Sequence, residues 1–170
     1  MKFRQVDQIV SLVPGQEIVA RRTLRADEDY LEDHFPRFPV MPGVMMLESL
    51  HQAAMWMIRT GDDFSHPLVL LKEVRSVKFG DFLAPGETLE IAAKAVQHDA
   101  LRTSVKASAG KSGRTTVSAR LVLERTHLDD PRAADYVRHK VRQQFQELFG
   151  TELLGSVIAS DQGPVDPGIA

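Results

Sequence analysis

An α+β fold, with one long helix enclosed by a single antiparallel sheet, is predicted by three features of the 170-residue chain. The segment from Gly43 to about Thr60 is an unbroken run of helix formers, with apolar residues on nearly every side. Such a helix is normally surrounded by other structure. Four segments rich in branched residues follow it: Leu68 to Phe79, Thr88 to His98, Leu101 to Ala109 and Thr115 to Glu124. The turns between them, Ala84-Pro85-Gly86, Asp99-Ala100 and Gly110 to Gly113, are too short for the crossovers that parallel strands require.

The elements follow in chain order. Met1 to Val10 mixes Lys2, Arg4 and Asp7 with apolar residues and lacks the continuous apolar core of a signal peptide, so a cytoplasmic protein is expected. Gln16 to Leu24 reads as a first strand, and the acidic stretch Arg25 to Asp33 as a loop or helical turn. The longest apolar stretch, Val44 to Ile58, is interrupted by Glu48, Ser49, His51 and Gln52, so no membrane insertion is expected. The character of the chain changes near residue 126. The expected division is a body over 1–126 and a helical extension with a flexible tail over 127–170. Asp129-Asp130-Pro131 starts the extension's helix, and Tyr136, Val137, Val141, Phe145, Leu148 and Phe149 form its apolar stripe before Gly150. Residues after Ile158 read as frayed. A sheet of five or six strands leaves long edges open, and a homodimer follows from that.

Composition removes several classes of function. There are 21 Lys+Arg against 23 Asp+Glu, a net charge of −2, and no electrostatic reason to expect nucleic acid as partner. The chain has no Cys, which excludes thiolate nucleophiles, disulfides and zinc-thiolate sites.

The chemistry is concentrated in residues 33–54. Pro36, Pro39 and Pro42 stiffen the loop that carries His34 and Phe35, so the imidazole is delivered to a defined place. Gly43 admits a reacting group close to the backbone where a helix begins, and the free N–H groups there favour developing negative charge. Glu48 stands on the helix in apolar company, where desolvation is expected to raise its pKa and make it a proton donor. A base, an oxyanion site and an acid thus fall within one short stretch.

This stretch resembles the signature of the hotdog-fold 3-hydroxyacyl-acyl-carrier-protein dehydratases. His34, Phe35, Pro36, Pro39, Pro42, Gly43, Leu47, Glu48 and Gln52 match the pattern, and the 14-residue separation of His34 from Glu48 is that of the family. Similarity of layout extends from about Phe3 to Glu124, including Lys78-Phe79 and Pro85-Gly86. The resemblance implies a hot-dog helix wrapped by a curved sheet and dimers in which His34 of one protomer meets Glu48 of the other. A trimer of dimers is the family's further suggestion. It implies that His34 takes the α-proton of a 3-hydroxyacyl thioester and Glu48 protonates the departing hydroxyl. The Gly43 N–H polarises the thioester carbonyl, with Phe35, Pro42, Val44, Leu47 and Gln52 around the substrate. No cofactor and no metal are implied. The partner is an acyl-carrier-protein or coenzyme A thioester. Met45, Met46 and Leu50 are candidates for an acyl tunnel or for plain core packing.

Three positions depart from the pattern: Asp33 and Arg37 replace glycines on either side of His-Phe-Pro, and Gly80-Asp81-Phe82 replaces a basic Lys-Arg-Pro. His51 reads as a packing or interface residue beside the Glu48–Gln52 face. Glu48-x-x-His51 and Glu124-x-x-His127 match halves of a di-iron motif, but the second falls at a strand end without bundle helices. Gly110-Lys111-Ser112-Gly113 is a hairpin turn, and Arg138, His139, Lys140 and Arg142 form the wet face of the last helix. The alternatives to a dehydratase are a thioesterase or enoyl hydratase on the same fold, and a catalytically weak acyl-thioester-binding subunit.

Overall fold

The computed structural model describes residues 3–153. Six strands form one sheet: β1 (Gln8–Val13), β2 (Glu17–Thr23), β3 (Leu68–Phe79), β4 (Thr88–His98), β5 (Arg102–Lys111) and β6 (Arg114–Thr126). Their spatial order is β1-β2-β4-β5-β6-β3, and every neighbouring pair is antiparallel. Helix α1 (Gly43–Gly61) lies against the inner face, and α2 (Pro131–Phe149) follows the sheet. The bounds of β3 and β4 are those read from sequence, because strong turn residues fence them. β5 and β6 run one or two residues further, joined by a tight turn at Ser112-Gly113 where both residues have positive φ.

Strand β1 lies inside a segment that the sequence reading had not assigned to a strand. A register shift between Ile9 and Ser11 spoils the two-residue alternation, and only one of its six residues is fully buried. The chain does not show its strand period there, so pairing with β2 rather than local pattern makes it a strand.

The enclosed helix is explained by the inner face of the sheet. Ala93, Ala107 and Ala119 stand directly opposite one another on β4, β5 and β6. All three are buried, as are Ala53 and Ala54 on α1. Small side chains on both partners let helix and sheet approach, while Leu50, Met57, Ile91, Val105 and Leu121 fill the flanks of the core. At its far end α1 meets the β1–β2 turn, where the Gly15 N–H donates to the Met57 carbonyl at 2.9 Å. A Cβ on Gly61 would lie 2.5 Å from Gly15 Cα, so this close approach requires glycine.

The outer face carries an unusual row. Direct pairing places Arg75, Arg120, Lys106 and Lys94 side by side across β3, β6, β5 and β4. Glu73 neutralises Arg75 and Glu17 neutralises Lys94, while Lys106 and Arg120 in the middle make no ion pair among the described residues.

Helix α2 begins as read: Asp130 caps it by accepting from the Arg132 N–H at 2.9 Å, and Pro131 opens the first turn. Phe145 is buried, and with Phe149 it packs edge-on against Trp56 of α1 at 5.6 and 5.7 Å. Two sequence expectations need correction. Tyr136 is 65% exposed and takes no part in the apolar stripe. Arg138 and Arg142 are not merely a wet face, since both pair with Asp63 in the turn after α1 and pin the helix there. The expected fraying after Ile158 lies outside the described residues. No described helix is long and apolar enough to cross a membrane.

Candidate active site

The loop that carries His34 is fastened at both ends. Upstream, the short helical turn Asp29–Leu31 presents the Tyr30 carbonyl, which accepts from the His34 N–H at 3.1 Å. Downstream, Val40 and Met41 are buried, and the Met41 N–H donates to the Leu83 carbonyl at 2.8 Å. Between these anchors the imidazole is half-buried and packs edge-on against Phe35 at 4.5 Å. Phe35 has φ +54°, a left-handed conformation that costs a bulky residue strain. Asp33, which stands where the pattern has a glycine, does not have a positive φ.

Pro42 ends the loop in extended geometry and Gly43 starts α1. The Met45 and Met46 N–H groups donate to the Pro42 carbonyl, so the Gly43 and Val44 amides have no intrahelical acceptor. A Cβ on Gly43 would sit 2.9 Å from the Phe79 ring, which places the end of β3 against the side of Gly43 where a side chain would project. Val44 is 68% exposed and Leu47 half-buried. Around them Phe35, Phe38, Phe79 and Phe82 are all more than half exposed, with Phe38 and Phe82 in edge contact at 5.8 Å.

Glu48 lies in a hydrogen-bonded chain. Its Oε1 accepts from Gln52 Nε2 at 2.8 Å, and its Oε2 lies 3.0 Å from His51 Nδ1. Gln52 Nε2 also donates to the Phe3 carbonyl, while Gln52 Oε1 accepts from the Gln5 N–H, both at 2.8 Å. These backbone partners fix which way the amide faces. Behind Gln5 stands Arg22, which is only 2% exposed; its Nε donates to Gln5 Oε1, and its guanidinium pairs with Asp7 and Glu28. Because Glu28 precedes the turn that holds His34, one buried guanidinium braces both halves of the candidate site.

The electrostatics of Glu48 differ from the sequence expectation. Burial is the largest influence and pushes its pKa up, but the hydrogen bonds from His51 and Gln52 together outweigh it, and the net shift is downward. The resting carboxyl is therefore ionised at neutral pH. His51, which reads from sequence as a packing or interface residue, instead meets Glu48 directly, as residues three apart on a helix can.

The structure brings together Glu48, Gln52 and His51, Phe35 with His34, and Gly43 with Phe79. Within one chain no hydrogen bond joins His34 to Glu48, whose partners are those just described. Among the described residues no three His, Asp or Glu side chains gather to hold a metal ion. Glu124 is engaged by Lys72 and Arg102, and His127 by His66.

Comparison with known proteins agrees with this layout. The 3-hydroxyacyl-acyl-carrier-protein dehydratase FabZ of Ruminiclostridium cellulolyticum is 29% identical over 119 residues, covering 70% of this chain and 84% of the relative. The enzyme of the same name from Levilactobacillus brevis is 30% identical over 125 residues, covering 74% and 84%. Among solved structures, the dehydratase heterocomplex ApeI:P from Xenorhabdus doucetiae superposes with a TM-score of 0.61 at 17% identity, covering 74% of this chain and 85% of that one. A hypothetical thioesterase from Streptococcus pneumoniae, solved with coenzyme A, gives 0.56 at 10% identity over 72% of this chain and 87% of its own. These structural likenesses establish the hotdog fold. The family model described as the FabA-like domain matches residues 1–120, from the first residue through most of β6 and short of α2, and the chain belongs to that family.

Proposed function

We propose that the protein dehydrates 3-hydroxyacyl thioesters, carried on acyl carrier protein, to trans-2-enoyl thioesters in acyl-chain synthesis. The observation that carries this reading is the continuous placement of the His34 loop, the Gly43 amide and Glu48 within the stretch matched by the FabA-like model. Names of the curated relatives supply the reaction and the carrier. A cytoplasmic location goes with the same reading.

In this mechanism the neutral imidazole of His34 removes the α-proton. Charge builds on the thioester oxygen, where the Gly43 N–H and the helix origin stabilise it. The Cβ–O bond breaks as a proton from the Glu48 side reaches the hydroxyl, which leaves as water. Phe35, Pro42, Val44, Leu47 and Gln52 would surround the acyl thioester. His34 and Glu48 meet across two copies of the chain, so each protomer contributes to two sites. The open β3 edge and the exposed aromatics near Gly43 support such a dimer, since both are costly to leave in water.

The test is hydration of a crotonyl thioester, followed by loss of enoyl absorbance, with wild type, His34→Ala and Glu48→Gln. Losses on the order of 100-fold or more in both variants are expected. Equal slow rates in all three proteins overturn the dehydratase reading and leave an acyl-binding subunit. Release of free thiol instead identifies a thioesterase.

A further inference from the structure

The mechanism asks Glu48 for a proton, yet its carboxyl is built to be an acceptor. Gln52 cannot supply one: its Nε2 faces Glu48 and Phe3, its Oε1 faces the Gln5 N–H, and an amide does not titrate. His51 is different. Its Nδ1 touches Glu48 Oε2 at 3.0 Å, its side chain is 16% exposed, and its Nε2 is buried without a hydrogen-bond partner among the described residues. A buried ring nitrogen without a partner is costly unless a ligand or water completes it.

We propose that His51 is the proton-holding partner of Glu48, so that carboxylate and imidazole work as one unit in handing a proton to the leaving hydroxyl. This rests on the assignment of Glu48 as the acid-side group. The proton resides on the ring while the carboxylate accepts the Nδ1–H. As the Cβ–O bond breaks, the departing hydroxide takes one proton from the pair and leaves as water. His34 meanwhile holds the α-proton, which it returns to solvent, and the pair is reloaded from solvent.

Within one protomer, Glu48 is the charged group in contact with His51 and His51 is the charge that acts on Glu48, while in the proposed dimer His34 of the second copy faces the same pair. The amino-terminal segment packed against this part of α1 meets it through the Phe3 carbonyl and the Gln5 amide, with Arg22 already engaged by Asp7 and Glu28 behind them. The two groups therefore form one hydrogen-bonded unit.

The consequence is a specific pH profile. The reactive form carries one proton on the pair and none on His34. With an imidazole in the unit to hold the proton, the acid limb of kcat/KM lies at higher pH than the carboxylate alone would place it. His51→Gln keeps a hydrogen-bond donor at this position but stores no proton. The carboxylate then has no neighbouring ring to hold its proton, and kcat/KM is expected to drop on the order of 100-fold, with the acid limb moving to lower pH.

The experiment is the pH dependence of 3-hydroxybutyryl thioester dehydration, followed by gain of enoyl absorbance, by wild type, His51→Gln and Glu48→Gln, with titration of the His51 ring by 15N NMR in wild type. A lowered rate with a displaced acid limb in His51→Gln, and a His51 ring that takes up its proton in the imidazole range, support the proposal. An unchanged acid limb in His51→Gln, whatever its rate, reduces His51 to a positioning residue and overturns it. So does a His51 ring that stays neutral down to pH 5, a result that does not depend on the variant folding. Full activity in Glu48→Gln would instead reject the functional reading itself.

Discussion

Arg22 and Gln52 carry the greatest structural weight near the site. Replacing Arg22 with Met strands Asp7 and Glu28 beside a buried apolar side chain and removes the donor to Gln5. A loss of about 3 kcal/mol in denaturant stability is expected. A loss below about 1 kcal/mol would show the network to be dispensable. Glu48 gives a pH prediction. Its folded pKa is lowered, so its stabilising contribution is full above the unfolded value and is lost as pH falls through the folded one. The Tm advantage of wild type over Glu48→Gln should therefore be widest near neutrality and shrink on acidification. An advantage that grows on acidification contradicts the assignment. The candidate residues themselves were readable from spacing, since prolines at 36, 39 and 42 and the glycine at 43 announce a stiff loop entering a helix. The charge state of Glu48 was not, because Gln52 is aimed by the backbone of Phe3 and Gln5, almost fifty positions away in the chain.

Among the elements, α1 and β3 were bounded correctly because Gly43 and the turn residues mark their ends, whereas β1 was hidden by its bulge. The α1–α2 contact depends on rings that the sequence placed on a stripe without saying what they would touch. Phe145 meets both Trp56 and Phe64, so Phe145→Ala is expected to cost about 3–5 kcal/mol by calorimetry or denaturant titration. A cost under about 1 kcal/mol would mean that α2 is only loosely docked. The cationic row on the outer sheet face gives the opposite sign. Lys106 stands opposite both Lys94 and Arg120 without an acidic partner, so Lys106→Glu should stabilise the protein by about 0.2–1 kcal/mol, more at low salt. Destabilisation by this change would show that the row is compensated in a way the strand register does not reveal.

For the molecule as a whole, the wrapped helix and antiparallel sheet follow from apolar pattern and turn chemistry, and the hotdog fold is the result. What one chain leaves unfinished is its front. β3 forms an open edge, the Phe79 ring at its end packs against Gly43, and Phe35, Phe38, Val44 and Phe82 are exposed. No pattern in one sequence specifies how two such fronts would fit, so the proposed meeting of His34 and Glu48 is a property of the assembly rather than of the single chain. If two copies complete one site, His34→Ala and Glu48→Gln each disable a different half of it. Each variant alone should be inactive towards a crotonyl thioester. Unfolding and refolding them together in equal amounts should restore about a quarter of wild-type activity, because half the dimers are mixed and each mixed dimer regains one of its two sites. Recovery to that level is the result expected here, and mixtures as inactive as the separate variants would contradict a site shared between protomers.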